Sequence, residues 1–194
     1  MFALIFGLSF LANAQDVQKD QPKGYQFTDI KRLPATSVKD QARAGTCWSW
    51  SGISFFESEM IRMGKEPIDL SAMYIVRHAY SDKATKFVRL HGNMNFAVGG
   101  AFCDVMHVIK NYGIVPMDVY KGLNYGEPNH AFGEIDDVLA GYINAVIKNS
   151  NKKLSTAWKK GFDGILDAYL GEEPEKFEYK GKEYTPRTFA DEVV

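Results

Sequence analysis

From Cys47 to Gly171 apolar residues recur at spacings of three and four, and hardly anywhere at two. A chain patterned this way folds into packed amphipathic helices rather than into a large sheet. Trp50, Ile53, Phe56, Met60 and Met63 fall on one face of a first helix beginning at Cys47. Glu57, Glu59 and Arg62 fall elsewhere, and Gly64 is its natural stop. Ser71 is placed to cap a second helix carrying Met73, Tyr74, Ile75 and Val76. A third runs through Phe102, Val105, Met106 and Ile109 to Gly113. A fourth presents Ile135, Val138, Leu139, Tyr142 and Val146. A fifth, capped by Ser155, presents Trp158, Phe162, Ile165, Leu166 and Tyr169 and stops at Gly171. These stripes read as packing surface, not as ligand sites. Strand signals are confined to the tail. There Phe177-Glu178-Tyr179 and Glu183-Tyr184-Thr185 flank Lys180-Gly181-Lys182 as a short hairpin, and Pro186 breaks the pattern before Thr188-Phe189-Ala190. The pattern predicts an α+β chain in which helices dominate and sheet is scarce.

The ends carry their own signals. Met1 to Ala14 hold no charge and close on Ala12-Asn13-Ala14, the small-x-small pattern cut by signal peptidase. The stretch is shorter than the roughly 20 apolar residues that span a bilayer. It predicts a signal peptide at 1–14 and a polar linker at 15–24, hence export to the periplasm or the medium and no integral membrane span. At the other end the chain stops at Val193-Val194 just inside an apolar segment, and a natural domain seldom ends there. Truncation is the expectation.

Charge excludes one class of partner. With 23 Lys and Arg against 24 Asp and Glu, a formal charge of -1 offers no basic stripe for nucleic acid. Two cysteines make no disulfide framework, and their spacing suits no zinc site, so neither metal nor cofactor is expected.

Chemistry concentrates in Gln41-Ala42-Arg43-Ala44-Gly45-Thr46-Cys47-Trp48. A loop containing Gly45 delivers a cysteine to the first turn of an apolar-faced helix. Unpaired N–H groups and the positive end of the helix dipole favour thiolate at such a place, and thiolate is the nucleophile. Gln41, on the same loop, could set its amide NH₂ beside the Cys47 backbone N–H around the oxyanion of a tetrahedral intermediate; one such donor is worth about 10²–10³ in rate. Trp48 would shield the site. Cys103, among Phe102, Val105 and Met106, reads as a buried structural thiol. Pairing it with Cys47 would consume the nucleophile.

Ala44-Gly45-Thr46-Cys47-Trp48 resembles the papain-like cysteine peptidases, whose nucleophile lies in C-G-[SA]-C-[WY]. Two departures stand out: Ala44 in place of the first cysteine, and Thr46 in place of a small residue. Loss of the first cysteine is similar to the bleomycin hydrolase and aminopeptidase C branch. Gly99-Gly100 and the helix after them look like the family's substrate-binding segment. The resemblance implies that Gly100, with Gly99, presents backbone groups to a peptide and that Phe102 lines the pocket for its second residue. Leu70-Ser71 matches the start of the family's second helix, and Tyr125-Gly126-Glu127 with the two following helices looks like the branch's insertion. So does the tail from Tyr179 to Phe189. The implied fold is the papain-like cysteine peptidase fold, mainly the helical lobe (25–124) plus a helical insertion (125–171) and the start of a next element (172–194), with the sheet lobe largely missing. The implied activity is peptide hydrolysis, with aminopeptidase character and closed homo-hexamers inferred from the branch alone.

A nucleophile of this kind needs a histidine base oriented by Asn or Asp. In the papain pattern these lie about 130–150 residues downstream of the cysteine; that window runs just past residue 194, and the part of it in this sequence holds no histidine. His78, His91, His107 and His130 read as surface or packing residues, with His130 the least unsuitable substitute. Two other readings compete. A catalytically inactive peptide-binding module has no need of Cys47 and Gln41. A transglutaminase-like acyl-transferase fits Gly99-Gly100 and its helix less well.

Overall fold

A computed structural model describes residues 24, 25 and 27–194. The signal peptide expected at 1–14, and the linker apart from Gly24, lie outside the described residues. The chain divides into two units, Met1–Arg32 and Leu33–Val194. The described part of the first is exposed chain without helix or strand.

In the second unit six helices and one hairpin follow in the order α1 (Cys47–Arg62), α2 (Ala72–Arg89), α3 (Phe102–Tyr112), α4 (Gly133–Ile147), α5 (Trp158–Leu170), β1 (Phe177–Tyr179), β2 (Lys182–Tyr184) and α6 (Pro186–Glu192). The helix-dominated α+β expectation holds, and β1–β2 is the only sheet among the described residues. No helix among them is long and apolar enough to cross a membrane.

Helix α2 is the hub: α1, α3, α4 and α5 all pack on it. The residues from Ala72 to Tyr80 are buried without a break, Arg77 and His78 among them, so the N-terminal half of α2 is enclosed all round, as befits a central helix. Ser71 caps it as expected, its Oγ accepting from the Tyr74 N–H at 3.0 Å. Helix α1 is pinned to α2 through Ser49, whose buried Oγ donates to the Ala72 carbonyl at 2.7 Å.

Several sequence expectations are corrected. Glu57 does not fall on the outer face of α1 but is 1% exposed, while Met63 is 57% exposed. Ile53, Glu57 and Met60 follow spacings of four and three on the buried stripe, and Met63, the C-cap residue, lies past the last packed turn. On α4 the buried positions are Ile135, Leu139 and Ile143, and Val138 faces water. Ser155 caps nothing, because α5 begins three residues later and its N-cap is Ala157.

The tail folds as a tight unit. Lys180 and Gly181 take φ of 52° and 78°, the pair of positive φ values that a two-residue type I′ hairpin turn requires. Tyr179 then pairs with Lys182. Pro186 does not merely interrupt: it is the first residue of α6, where its missing N–H costs nothing. Gly113 ends α3 at φ 92°, and a Cβ there would stand 2.1 Å from the Pro186 carbonyl oxygen. Ile114 N–H donates to that carbonyl at 3.1 Å. The Arg187 guanidinium covers the Ile109 and Lys110 carbonyls at the open end of α3.

Candidate active site

The loop before α1 turns at Gly45, φ 66°, where a Cβ would press on Val98 at 3.2 Å. Cys47 is the first residue of α1 and its side chain is exposed. The Ser49 and Trp50 N–H groups both donate to the Thr46 carbonyl, at 2.9 and 3.4 Å. The Cys47 N–H, one of the orphan donors of a first turn, donates to no backbone carbonyl among the described residues.

Gln41 and Cys47 line one cleft of about 420 Å³, whose walls are the extended segment 35–41 and the start of α1, including Trp50, Ser51 and Ser54. The Gln41 Oε1 is sealed without a hydrogen-bond partner. The NH₂ end makes no hydrogen bond among the described residues, so it is the end left for the cleft.

The far wall is held by Glu57. Its carboxylate accepts from the Leu70 N–H at 2.8 Å and from Lys39 at 2.6 Å, and also from the Thr36 hydroxyl. Lys39 reaches Asp69 as well, at 2.8 Å. Burial works against the Lys39 charge, but hydrogen bonds to Asp69 and Glu57 outweigh it and hold its pKa above the usual lysine value. The strand-like wall that carries Gln41 is thus tied to the middle of α1. Sequence reasoning missed this clamp, although Glu57 sits on the apolar stripe between Ile53 and Met60.

The two indoles divide the work differently from the sequence expectation. Trp48 is 9% exposed and turned into the fold, its Nε1–H donating to the Val98 carbonyl at 3.0 Å. A Cβ on Gly100 would lie 2.5 Å from its ring. Trp48 therefore lies under the Gly99-Gly100 segment, and the indole on the cleft wall is Trp50. The departure at Thr46 has a use here: its Oγ1 accepts from the Trp50 Nε1–H at 3.0 Å. Lys83 reaches the Gly99 carbonyl and lies 5.5 Å over the Trp48 ring. Burial lowers the Lys83 pKa.

Gly99 and Gly100 expose their backbone but do not line the cleft. Phe102, 41% exposed, packs on Phe55 and Phe56 at 5.3 and 5.8 Å. Phe102, Phe55 and Met106 are exposed apolar side chains here, whereas Trp48 is buried. Cys103 is exposed, contrary to the buried thiol expected; one residue along from Phe102, it points away from the Val105–Val108 face.

No histidine lines the cleft. His78 is stacked on Tyr112 at 4.2 Å and lies 3.1 Å from Glu173. His107 pairs with Asp82 at 3.2 Å, and His91 lies in an exposed turn. His130 is buried beside Trp50, ring centroids 5.9 Å apart, and lines a different cavity on which Cys47 does not open. Among the described residues no group of three metal-ligating side chains comes together.

The model of the papain family cysteine protease matches residues 22–159. Among solved structures, PepW from Lactobacillus rhamnosis aligns with a TM-score of 0.58 at 20% identity, over 84% of this chain and 44% of PepW. The chain thus spans less than half the length of that neighbour. No curated protein matches the sequence significantly. A family match over most of the chain, with the fold shared with PepW, places this protein in the papain family of cysteine proteases.

Proposed function

We propose that this chain carries the nucleophile of a cysteine-type aminopeptidase of the bleomycin hydrolase and aminopeptidase C branch. The observation that supports it best is the meeting of an exposed Cys47 at a helix start with Gln41 across one cleft. In this reading the Cys47 thiolate attacks the scissile carbonyl carbon. The oxyanion that forms is held by the Gln41 NH₂ and the Cys47 N–H, donors that the fold leaves unengaged. Gly99 and Gly100 present backbone groups to the acyl half of the peptide, and Phe102 with its aromatic neighbours takes an apolar side chain. Trp48 supports the glycine segment from below. Export by the 1–14 segment and assembly into homo-hexamers belong to the same proposal.

The base is placed outside these 194 residues. Without it nothing protonates the leaving amine, a role worth about 10²–10⁴ in rate. The purified chain is expected to release no coumarin from aminoacyl-coumarins. Turnover that disappears in Cys47→Ala would show that the base lies within the chain, with His130 the first to test.

A further inference from the structure

We propose that the cavity lined by Trp50 and His130 is a second binding site, a subsite for a tyrosyl side chain on the leaving-group half of a peptide. Its assignment to substrate rests on the peptidase reading; its ligand chemistry does not.

The cavity holds about 220 Å³ and lies under the 117–130 loop, against the first turns of α1 and α2. Trp50, Met73, Met117, Tyr120, Leu123 and His130 provide its walls. An apolar cavity of about 150 Å³ takes benzene. This one has room for a ring carrying one or two further heavy atoms.

One polar group is free inside. The Ser71 Oγ donates to the Tyr120 carbonyl at 2.6 Å and accepts from Tyr74, and the Tyr120 hydroxyl donates to the Gly171 carbonyl at 3.2 Å. Asp40 accepts the Ala42 N–H at 2.7 Å. Asp118, Lys121 and Asn129 are exposed on the rim. His130, 9% exposed, is different: its Nδ1 is sealed with no partner. Burial lowers its pKa, so the ring is neutral at pH 7 with a single proton to place. On Nδ1 that proton would be a buried orphan donor, the costlier kind of orphan; on Nε2 it leaves only an orphan acceptor. Nε2 is not sealed and makes no hydrogen bond among the described residues. The cavity therefore offers apolar walls and one N–H donor. A phenol oxygen accepts it; a bare phenyl ring does not.

The helix sets the side. At 3.6 residues per turn, Trp48 stands about 100° to one side of Cys47 and Trp50 about 60° to the other. Gly100 rests on Trp48, so the segment proposed for the acyl half and this cavity flank the thiol from opposite sides. The cavity falls to the leaving-group half.

The test is a titration of the full chain with p-cresol and with toluene, read by saturation-transfer NMR on the ligand. p-Cresol should bind about tenfold more tightly than toluene, the discrimination one hydrogen bond supplies. His130→Leu should remove the difference and keep toluene binding. Leu123→Trp should fill the cavity and lose both ligands. Should His130→Leu fail to give the native circular dichroism, His130→Gln keeps a donor and should retain part of the preference. Equal binding of the two ligands, no saturable p-cresol binding, or a preference that survives His130→Leu overturns the proposal. Binding of p-cresol by a chain whose Cys47 resists alkylation would sink the peptidase reading and leave the site standing; reactive Cys47 with no p-cresol binding would do the reverse.

Discussion

Replacing Glu57 tests how the cleft wall is held. Its side chain is inaccessible to solvent and satisfies the buried Leu70 N–H and the Lys39 ammonium, itself 13% exposed. Glu57→Ala orphans the Leu70 N–H, at about 1–3 kcal/mol. It also removes one of two carboxylates from Lys39; breaking a buried pair this way costs about 3–5 kcal/mol, but Asp69 remains at 2.8 Å and holds the cost down. The sum should be about 3–4 kcal/mol, a large part of the 5–15 kcal/mol typical of a domain. Glu57→Gln keeps the shape and the Leu70 bond and should cost about half as much. Urea unfolding followed by circular dichroism measures both, with an unchanged slope expected. Trypsin should cut after Lys39 faster in Glu57→Ala than in the parent, because the 35–41 wall is released from α1. A loss below about 1 kcal/mol for Glu57→Ala, or equal losses for Ala and Gln, would refute this reasoning.

Two further perturbations probe the tail. Gly113→Ala combines a φ of 92° with a Cβ driven into the Pro186 backbone, and should lower stability by about 2–3 kcal/mol or more and expose the α6 amides to exchange. Gly126→Ala, at φ 80° with open space around it, should cost about 1 kcal/mol, so equal effects in a thermal melt would contradict the packing argument. Glu173 titrates with a sign that can be checked. Burial raises its pKa, but hydrogen bonding and charge from His78 and Arg77 outweigh it, leaving the folded value below the ordinary 4.5. Stability from this group is therefore present above pH 4.5 and lost as pH falls through the folded value. Glu173→Gln should flatten the acid limb of the melting-temperature profile below pH 4.5; an unchanged limb would show that the cluster contributes nothing there.

What was legible in the sequence was local. The apolar stripes located α1, α3, α4 and α5, Ser71 announced the cap of α2, Gly113 the stop of α3, and Gly181 the hairpin turn, since each signal is set by backbone conformation within a few residues. What escaped depends on neighbours far along the chain. Glu57 is polar by type and could be buried only because Leu70, Lys39 and Thr36 arrive to satisfy it. Cys103 follows an apolar residue yet faces water, because α3 buries the Val105–Val108 side and nothing described covers the other. Trp48 and Trp50 are equivalent by composition. The Val98 carbonyl draws one beneath the glycine segment and Thr46 fixes the other on the cleft. The pairing of Gln41 with Cys47 in one cleft was readable because one loop joins them, whereas the clamp that ties the 35–41 wall to α1 was not.

The account stands on Cys47 as the nucleophile, and accessibility alone does not decide it, since both cysteines are exposed and both lie in the first turn of a helix. Cys103 has Asp104 beside it and does not line the Gln41 cleft; Cys47 has no acidic residue in its turn and opens on that cleft. The direct measurement is mass-spectrometric mapping of the native chain after limiting iodoacetamide, with the rates at the two thiols compared. The account predicts that Cys47 is alkylated first and that an epoxysuccinyl peptide, which needs a cleft, modifies Cys47 and leaves Cys103 free. Preferential modification of Cys103 by either reagent would contradict it.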